Sequence, residues 1–239
     1  MKLSIIIPVY NERKTVKELL RRLKAVKIPP RVTSETIIVD DCSTDGTREI
    51  LRELKKGRPD LKIIFHEQNQ GKGAAVKIGF KHATGDYALI QDADLEYNPQ
   101  DIPRLLEPII QGKAEIVYGS RLQRWPNLKR DEKRPRFLLH YFGNRFLSLI
   151  TSLFYGQWLT DIGTCYKLFP LKLVKKMRFE GQGFELEPEL TSKLLKKGHR
   201  ILEVPIVSTP RGYEEGKKLN TLRDGLIALK TLIKYRLFD

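Results

Sequence analysis

Apolar and polar residues fall into blocks along the chain, and their period switches repeatedly between strand-like and helical. Lys2–Val9 is a nearly continuous apolar run rich in isoleucine, as a strand buried on both faces requires. Val16, Leu19, Leu20 and Leu23 then recur at helical spacing, with Asn11 as a candidate N-cap. The same exchange repeats. Strands are predicted at Glu35–Asp40, Leu61–Phe65, Asp86–Gln91 and Glu115–Tyr118. Helices are predicted after the turn at Cys42–Gly46, over Gly71–Ala83 and over Pro99–Gln111. Strands alternating with helices predict an α/β fold, a doubly wound and mainly parallel sheet with helices on both faces. Ligands of such sheets bind beyond the carboxyl ends of the strands. The segments there are unusually polar: Pro8–Glu12, Asp40–Asp45, Glu67–Gly73, Asp92–Glu96 and Gly119–Arg121.

After about residue 122 the pattern changes. Residues 124–136 are polar and basic, Phe137–Tyr155 is an apolar helical stretch carrying His140, Asn144 and Arg145, and Thr160–Lys167 is a polar loop. A strand at Ile201–Val207 and the loop Pro210–Lys218 precede a last helix. In that helix Leu219, Leu222, Leu226, Leu229, Ile233 and Leu237 recur every three or four residues. This half is expected to cover the strand-exit edge.

Composition narrows the function classes. At 41% hydrophobic residues the chain is neither intrinsically disordered nor a polytopic membrane protein, and 239 residues bury a sizeable core. Cys42 and Cys165 are too few for a disulfide framework and read as thiols of a reducing compartment. The first residues do not read as a signal peptide, and no stretch is apolar enough to predict a transmembrane helix. The formal net charge of +15 calls for an anionic partner: nucleic acid, an anionic membrane surface or a phosphorylated substrate. No helix-turn-helix, RNP or zinc signature accompanies it, so no specific nucleic-acid partner is expected. Residues 121–145 carry eight Lys/Arg against two acids, a net of +6, beside the apolar stretch. With the last helix, they predict peripheral binding at a membrane interface; the alternative is two ordinary core helices.

Candidate chemistry begins with Asp92-Ala93-Asp94 and Glu96, directly after a buried strand. Carboxylates at that spacing, with oxygen donors only, suit Mg2+ or Mn2+ with positions left for substrate phosphates. Asp41 would read a nucleoside base, while Asp40, deeper in its strand, is equally suited to a structural role. In Asn69-Gln70-Gly71-Lys72-Gly73 the glycines permit close approach, the helix start offers free N–H groups, and Lys72 adds a charge. The spacing of a phosphate-binding GxxxxGK[ST] loop and the GxGxxG fingerprint are both absent. Arg121, Arg136, Arg211, Lys217 and Lys218 are candidate phosphate ligands.

Together IIIPVYNE (5–12), VDDCSTDGT (39–47), NQGKG (69–73), DADLE (92–96) and YGSR (118–121) resemble, in order and spacing, the inverting, nucleotide-sugar-dependent glycosyltransferases of family 2, with the GT-A fold. TDIGTCYKLF (160–169), FELEPELTSKL (184–194) and EVPIVSTPRGYEEGKKL (203–219) resemble the polyprenyl-phosphate sugar transferases within it, among them the dolichyl-phosphate mannose synthases. The resemblance implies one continuous domain, with residues 1–122 binding the nucleotide sugar and 123–239 binding the acceptor. It implies that Pro8, Tyr10, Glu12 and Asp41 cradle the nucleoside. Asp92, Asp94 and Glu96 would hold the metal, although relatives often have Gln at the position of Glu96. Arg121, Arg136, Arg211 and either Lys217 or Lys218 would meet donor or acceptor phosphates, and Asp161 and Thr164 would lie on the acceptor side. The implied reaction moves mannose or glucose from GDP-mannose or UDP-glucose to a polyprenyl or dolichyl phosphate at the cytoplasmic face of a membrane. The alternatives keep the donor chemistry with a saccharide or diacylglycerol acceptor. A lipid phosphate needs no strong base; a neutral hydroxyl acceptor would need one, with Asp161 the candidate.

Overall fold

The computed structural model describes residues 1–123, 135–211, 218 and 220–238, with the side chains of 135–137 excepted. The basic segment 124–134, the Arg136 side chain, Lys217 and Leu219, all singled out above, lie outside the described residues. Seven strands form one sheet: β1 (Lys2–Val9), β2 (Thr33–Asp40), β3 (Leu61–Phe65), β4 (Tyr87–Ile90), β5 (Ile116–Ser120), β6 (Lys167–Pro170) and β7 (Ile201–Pro205), in the order β3-β2-β1-β4-β6-β5-β7. The helices are α1 (Val16–Lys24), α2 (Thr47–Gly57), α3 (Lys72–His82), α4 (Ile102–Ile110), α5 (Pro135–Tyr155), α6 (Leu171–Lys175), α7 (Leu186–Lys196) and α8 (Thr221–Leu237).

The central strands feed two cores. Leu3, Ile5, Ile7 and Val9 of β1 pack with α1, α2 and α4, while Ile6 turns to the opposite face, toward α3, α6 and α7. This accounts for the unbroken apolar run of β1, since a strand covered on both sides has no solvent face to keep polar. Parallel register then levels the strand ends. Val9 stands opposite Asp40, and Asp40 opposite Phe65, so the segments after β1, β2 and β3 leave the sheet at one height.

One strand departs from the predicted pattern. Lys167–Pro170 is β6, antiparallel to both β4 and β5 and inserted between them. Only four residues long, it directly follows a polar loop, so periodicity does not reveal it. Because it runs against its neighbours, its entrance lies at their carboxyl ends, and the loop 160–166 is delivered to the strand-exit edge. The parallel strand β7 leaves at the same edge, and Arg211 and Lys218, which follow it in sequence, both reach Glu12 beyond the end of β1.

The expected cap at Asn11 is replaced by another use. Thr15 stands at the N-cap of α1. Asn11 has φ of 51° and accepts from Thr44 N–H at 2.8 Å, tying the β1 exit to the β2 exit. Gly79 marks a close contact of α3 with the sheet, where a Cβ would overlap Ile6 Cγ2. Gly79→Ala should therefore destabilise the protein by about 1–3 kcal/mol in denaturant unfolding, although alanine is the better helix former.

Candidate active site

A cavity of about 540 Å3 lies at the carboxyl edge of the sheet. Its polar end collects the predicted residues that the fold brings together: Pro8, Tyr10, Glu12, Asp41, Lys72, Asp92, Ala93, Asp94, Glu96, Arg121, Arg211 and Lys218. Its other end is largely apolar, walled by Leu139, Phe146 and Leu147 of α5 and Leu222, Leu226 and Leu229 of α8, with Asp224 beside them.

The carboxylates are crowded and balanced by cations of the chain itself. Glu12 is buried, and Arg211 grips it with two N–H groups at 2.9 and 3.1 Å while Lys218 reaches it at 2.8 Å. Lys218 also donates to the Tyr10 carbonyl. Arg211 lies 3.5 Å from Asp94, and its backbone N–H donates to Glu96 at 3.0 Å. Lys72 bridges Asp92, at 2.8 Å, and Glu187, at 3.2 Å. Burial works against the Lys72 charge, but Asp92 and Glu187 outweigh it and hold the ammonium well above its ordinary pKa. Asp94 goes the other way: burial, then the neighbouring Asp92 and Glu96, push its carboxyl up to about 7. Among the described residues no three His, Cys, Asp or Glu side chains form a ready-made metal cage. The oxygen-only set of Asp92, Asp94 and Glu96 nevertheless fits a hard divalent cation that takes one or two carboxylates and fills its remaining positions with phosphate and water oxygens. The raised Asp94 expresses negative charge that such a cation would neutralise.

Asp41 lines the cavity, but its oxygens already accept from Gln70 N–H at 2.9 Å and Gly71 N–H at 2.7 Å, and the His66 ring lies 2.8 Å away. It is thus a rigidly mounted acceptor, and nothing in the local sequence signals its partner His66. The glycines of 69–73 serve a purpose other than the one expected. A Cβ on Gly71, whose φ is +93°, would lie 2.5 Å from Gln182 O, and one on Gly73 would strike the backbone of 181–183. Their close approach is to the chain's own 181–183 loop.

Asp161 and Thr164 lie buried behind the cavity wall. Asp161 is fully buried and takes Arg121 in a bidentate pair at 2.7 and 2.8 Å, plus the Arg121 backbone N–H at 3.0 Å. Burial alone would raise its carboxyl; Arg121 outweighs that and lowers it. Its side chain is absent from the cavity wall, so Asp161 mounts Arg121 and is not placed to take a proton from a substrate. Thr164 is also fully buried, with its hydroxyl accepting from Tyr166 N–H at 3.2 Å. Glu187, His140 and Asn144 line the cavity, although no role was assigned to them above. Glu187 lies inside the FELEPEL segment, but helical spacing alone does not mark which of its acids faces inward. Three non-glycine residues adopt left-handed backbone, Asn11, Cys42 and Leu95, and each lies in a strand-exit loop. Such conformations cost on the order of 1–3 kcal/mol each and cluster where a site imposes them.

Known proteins resemble this chain over most of its length. The family model "Glycosyl transferase family 2" matches residues 4–178. The chain is 32% identical over 235 residues to the UDP-N-acetylglucosamine–dolichyl-phosphate N-acetylglucosaminyltransferase of Methanococcus voltae, covering 91% of this chain and 90% of that one. It is 38% identical over 131 residues to the dolichol-phosphate mannosyltransferase of Pyrococcus furiosus, covering 53% of this chain and 36% of that longer protein. Among solved structures, glucosyl-3-phosphoglycerate synthase from Mycobacterium tuberculosis, in complex with Mn2+, uridine diphosphate and phosphoglyceric acid, superposes with a TM-score of 0.74. That match is 18% identical and covers 100% of this chain and 79% of that one, a likeness of fold. The sheet is accordingly of the GT-A type, and the chain belongs to glycosyl transferase family 2, resembling its polyprenyl-phosphate sugar transferases.

Proposed function

We propose that the protein is an inverting, divalent-metal-dependent glycosyltransferase that moves a hexose from a nucleoside-diphosphate sugar to a polyprenyl phosphate at a membrane surface. The observation that carries this reading is the two-ended cavity. A carboxylate and cation floor suited to a metal-bound diphosphate runs directly into an apolar groove between α5 and α8. A saccharide acceptor would leave those leucines and phenylalanines without a role. The names of the Methanococcus and Pyrococcus relatives support a dolichyl-type phosphate acceptor, with different sugars. Mannose and glucose remain the favoured sugars, with GDP or UDP as carrier.

The chain's residues divide the work. Asp92 and Asp94, with Glu96, would hold Mg2+ or Mn2+, which when bound stabilises the charge developing on the leaving diphosphate. Pro8, Tyr10 and Asp41 would seat the nucleoside. Arg121, pinned by Asp161 and stacked 5.4 Å from the Tyr97 ring centre, would fix the acceptor phosphate for in-line attack. A lipid monophosphate has a second pKa of about 6 and is mostly dianionic at neutral pH, so its oxygen attacks without a general base. That agrees with Asp161 being committed to Arg121. Arg136 and Lys217 are kept as further candidate phosphate ligands.

Membrane contact would come from the exposed mouth of that groove and the apolar residues beside it on the same helices. Phe142, Phe146 and Leu153 of α5 and Leu222, Leu226 and Leu237 of α8 are all more than half exposed, between 55% and 74%. Inward, Leu232 and Tyr235 are buried and anchor α8. No helix of the described residues is long and apolar enough to cross a membrane, so α5 and α8 would lie in the interface.

Incubating the protein with GDP-mannose, UDP-glucose and UDP-N-acetylglucosamine, each with undecaprenyl and dolichyl phosphate and Mn2+ or Mg2+, should yield labelled lipid from one donor. Transfer to soluble saccharides or diacylglycerol alone would reject the acceptor. Asp161→Asn leaves Arg121 buried without its counter-charge and should lower unfolding stability by about 3–5 kcal/mol; a base facing substrate would leave stability near wild type. On anionic vesicles at low salt the protein should float, and a Phe142→Glu/Leu153→Glu double variant should stay in the bottom fraction.

A further inference from the structure

A buried row of alternating charges starts at the cavity floor and runs into the second half of the chain. Lys72 Nζ lies 2.8 and 2.9 Å from the two oxygens of Asp92 and 3.2 Å from Glu187 Oε1. The other oxygen of Glu187 is taken by Lys167, whose side chain is fully buried and whose remaining donors go to the carbonyls of Ile162, at 2.9 Å, and Thr164. The Phe184 ring covers Lys72, its centre 5.6 Å from the ammonium. This is no solvated surface pair: the side chains of Asp92, Lys72 and Glu187 are 20%, 17% and 9% exposed.

The arrangement conflicts with metal binding as it stands. Lys72 covers both oxygens of one of the two carboxylates that a divalent cation would need. An ammonium and a divalent ion on the same carboxylate repel strongly at that depth. The cation can take Asp92 only if Lys72 gives it up, and a buried ammonium gives up an anion only if another is at hand. Glu187 is that anion. It already lies within reach of Lys72, so the exchange needs only rotation about the last bonds of the lysine side chain. Lys167 secures Glu187 from behind, keeping the receiving carboxylate in place.

We propose that Lys72 is a place-holding cation, released from Asp92 toward Glu187 and the donor diphosphate when a divalent metal and the nucleotide bind together, with Glu187 as the positioning residue that receives it. This rests on the metal-dependent reading above. Its consequence is coupling: the metal alone binds weakly because it must evict Lys72, and the diphosphate helps by supplying Lys72 with new partners. By linkage the metal strengthens nucleotide binding by the same factor.

The test is a titration of Mn2+, followed by the paramagnetic resonance of the free ion, with and without UDP or GDP. Wild type, Lys72→Gln, Glu187→Gln and Lys81→Gln are compared, and their melting temperatures measured alongside. Lys81 lies near the far end of the same helix and serves as the control for net charge. Wild type should bind Mn2+ more tightly by roughly tenfold when one of the nucleotides is present, within the usual range of such couplings. Lys72→Gln should tighten nucleotide-free Mn2+ binding by roughly tenfold, because the competing ammonium is gone and neighbours of metal ligands commonly change affinity by about that much, and should shrink the coupling. Glu187→Gln should weaken nucleotide-free binding, because Asp92 becomes the one anion beside Lys72. Opposite signs for these two variants are the signature of the hand-over; a merely structural role would weaken both along with the melting temperature. If Glu187→Gln fails to fold, Lys72→Gln against Lys81→Gln still decides. Unchanged or weaker Mn2+ binding in Lys72→Gln, or equal tightening in Lys81→Gln, overturns the hand-over and leaves the metal-dependent reading standing. No Mn2+ binding by wild type in either condition removes both.

Discussion

Negative charge gathered in a poorly solvated place is the constraint around which this molecule is arranged. Glu12, Asp92, Asp94 and Glu96 converge where the strands end, and the raised Asp94 carboxyl reports its burial first and then the charges of Asp92 and Glu96. Left alone, such a cluster would neutralise itself by taking up protons. Here it is met by cations from distant parts of the sequence: Lys72 from the start of α3, and Arg211 and Lys218 from beyond β7. Arg211 and Lys218 are therefore held over the cavity by electrostatics, since both end on Glu12. A ligand carrying phosphates and a divalent cation would replace these internal pairs with equivalent ones, which keeps the buried charges balanced before and after binding.

Much of the first half was legible from pattern alone. The limits of β1 and β3 coincide with the predicted runs, and β1, covered on both faces, is apolar nearly throughout and so marks its own ends. The parallel-sheet rule brings the DADLE and IIIPVYNE motifs to one edge, and register does the same in the structure. What pattern does not express is long-range pairing. β6 is four residues long and follows a polar loop, so nothing local separates it from that loop. Asp161 and Thr164 sit in a motif resembling the family's acceptor side, yet both point into the protein, because the loop before β6 needs their oxygens for Arg121 and for its own backbone. Glu187 and His66 act through Lys72 and Asp41, partners far from them in the chain. In each case the partner, and not the neighbouring residues, decides what the side chain does.

The second half shows why helical periodicity was ambiguous there. A leucine every three or four residues in α8 reads equally as a core face or an interfacial one. The structure separates two faces: Leu232 and Tyr235 are buried, while Leu222, Leu226 and Leu237 stay largely exposed. The Tyr235 hydroxyl donates to Glu189 of α7 at 2.8 Å, which fixes the rotation of α8 about its axis. With that rotation fixed, the outward leucines cannot turn to the core, and the groove beside α5 keeps its apolar wall.

The short antiparallel strand is what relates the two ends of the cavity to each other. Two buried ion pairs anchor the loop that leads into β6, one at each end. Asp161 at its start holds Arg121 on the proposed acceptor side, and Lys167 at its finish holds Glu187, which in turn reaches Lys72 on the donor side. Between them, Glu203 of β7 accepts from the backbone N–H groups of Thr160 and Asp161 at 2.8 and 2.9 Å, so the loop's own backbone is fixed as well. A displacement reaction requires the attacking and leaving oxygens to stand in line, and a misplacement of about 1 Å can cost on the order of a hundredfold in rate. A loop secured at both ends by buried charges, and leading into a strand seated between β4 and β5, is a stiff spacer for setting that distance. On the proposed mechanism, the loop Thr160–Lys167 that pattern analysis reads as merely polar would serve catalysis through rigidity, by holding the Arg121 and Lys72 cations a set distance apart.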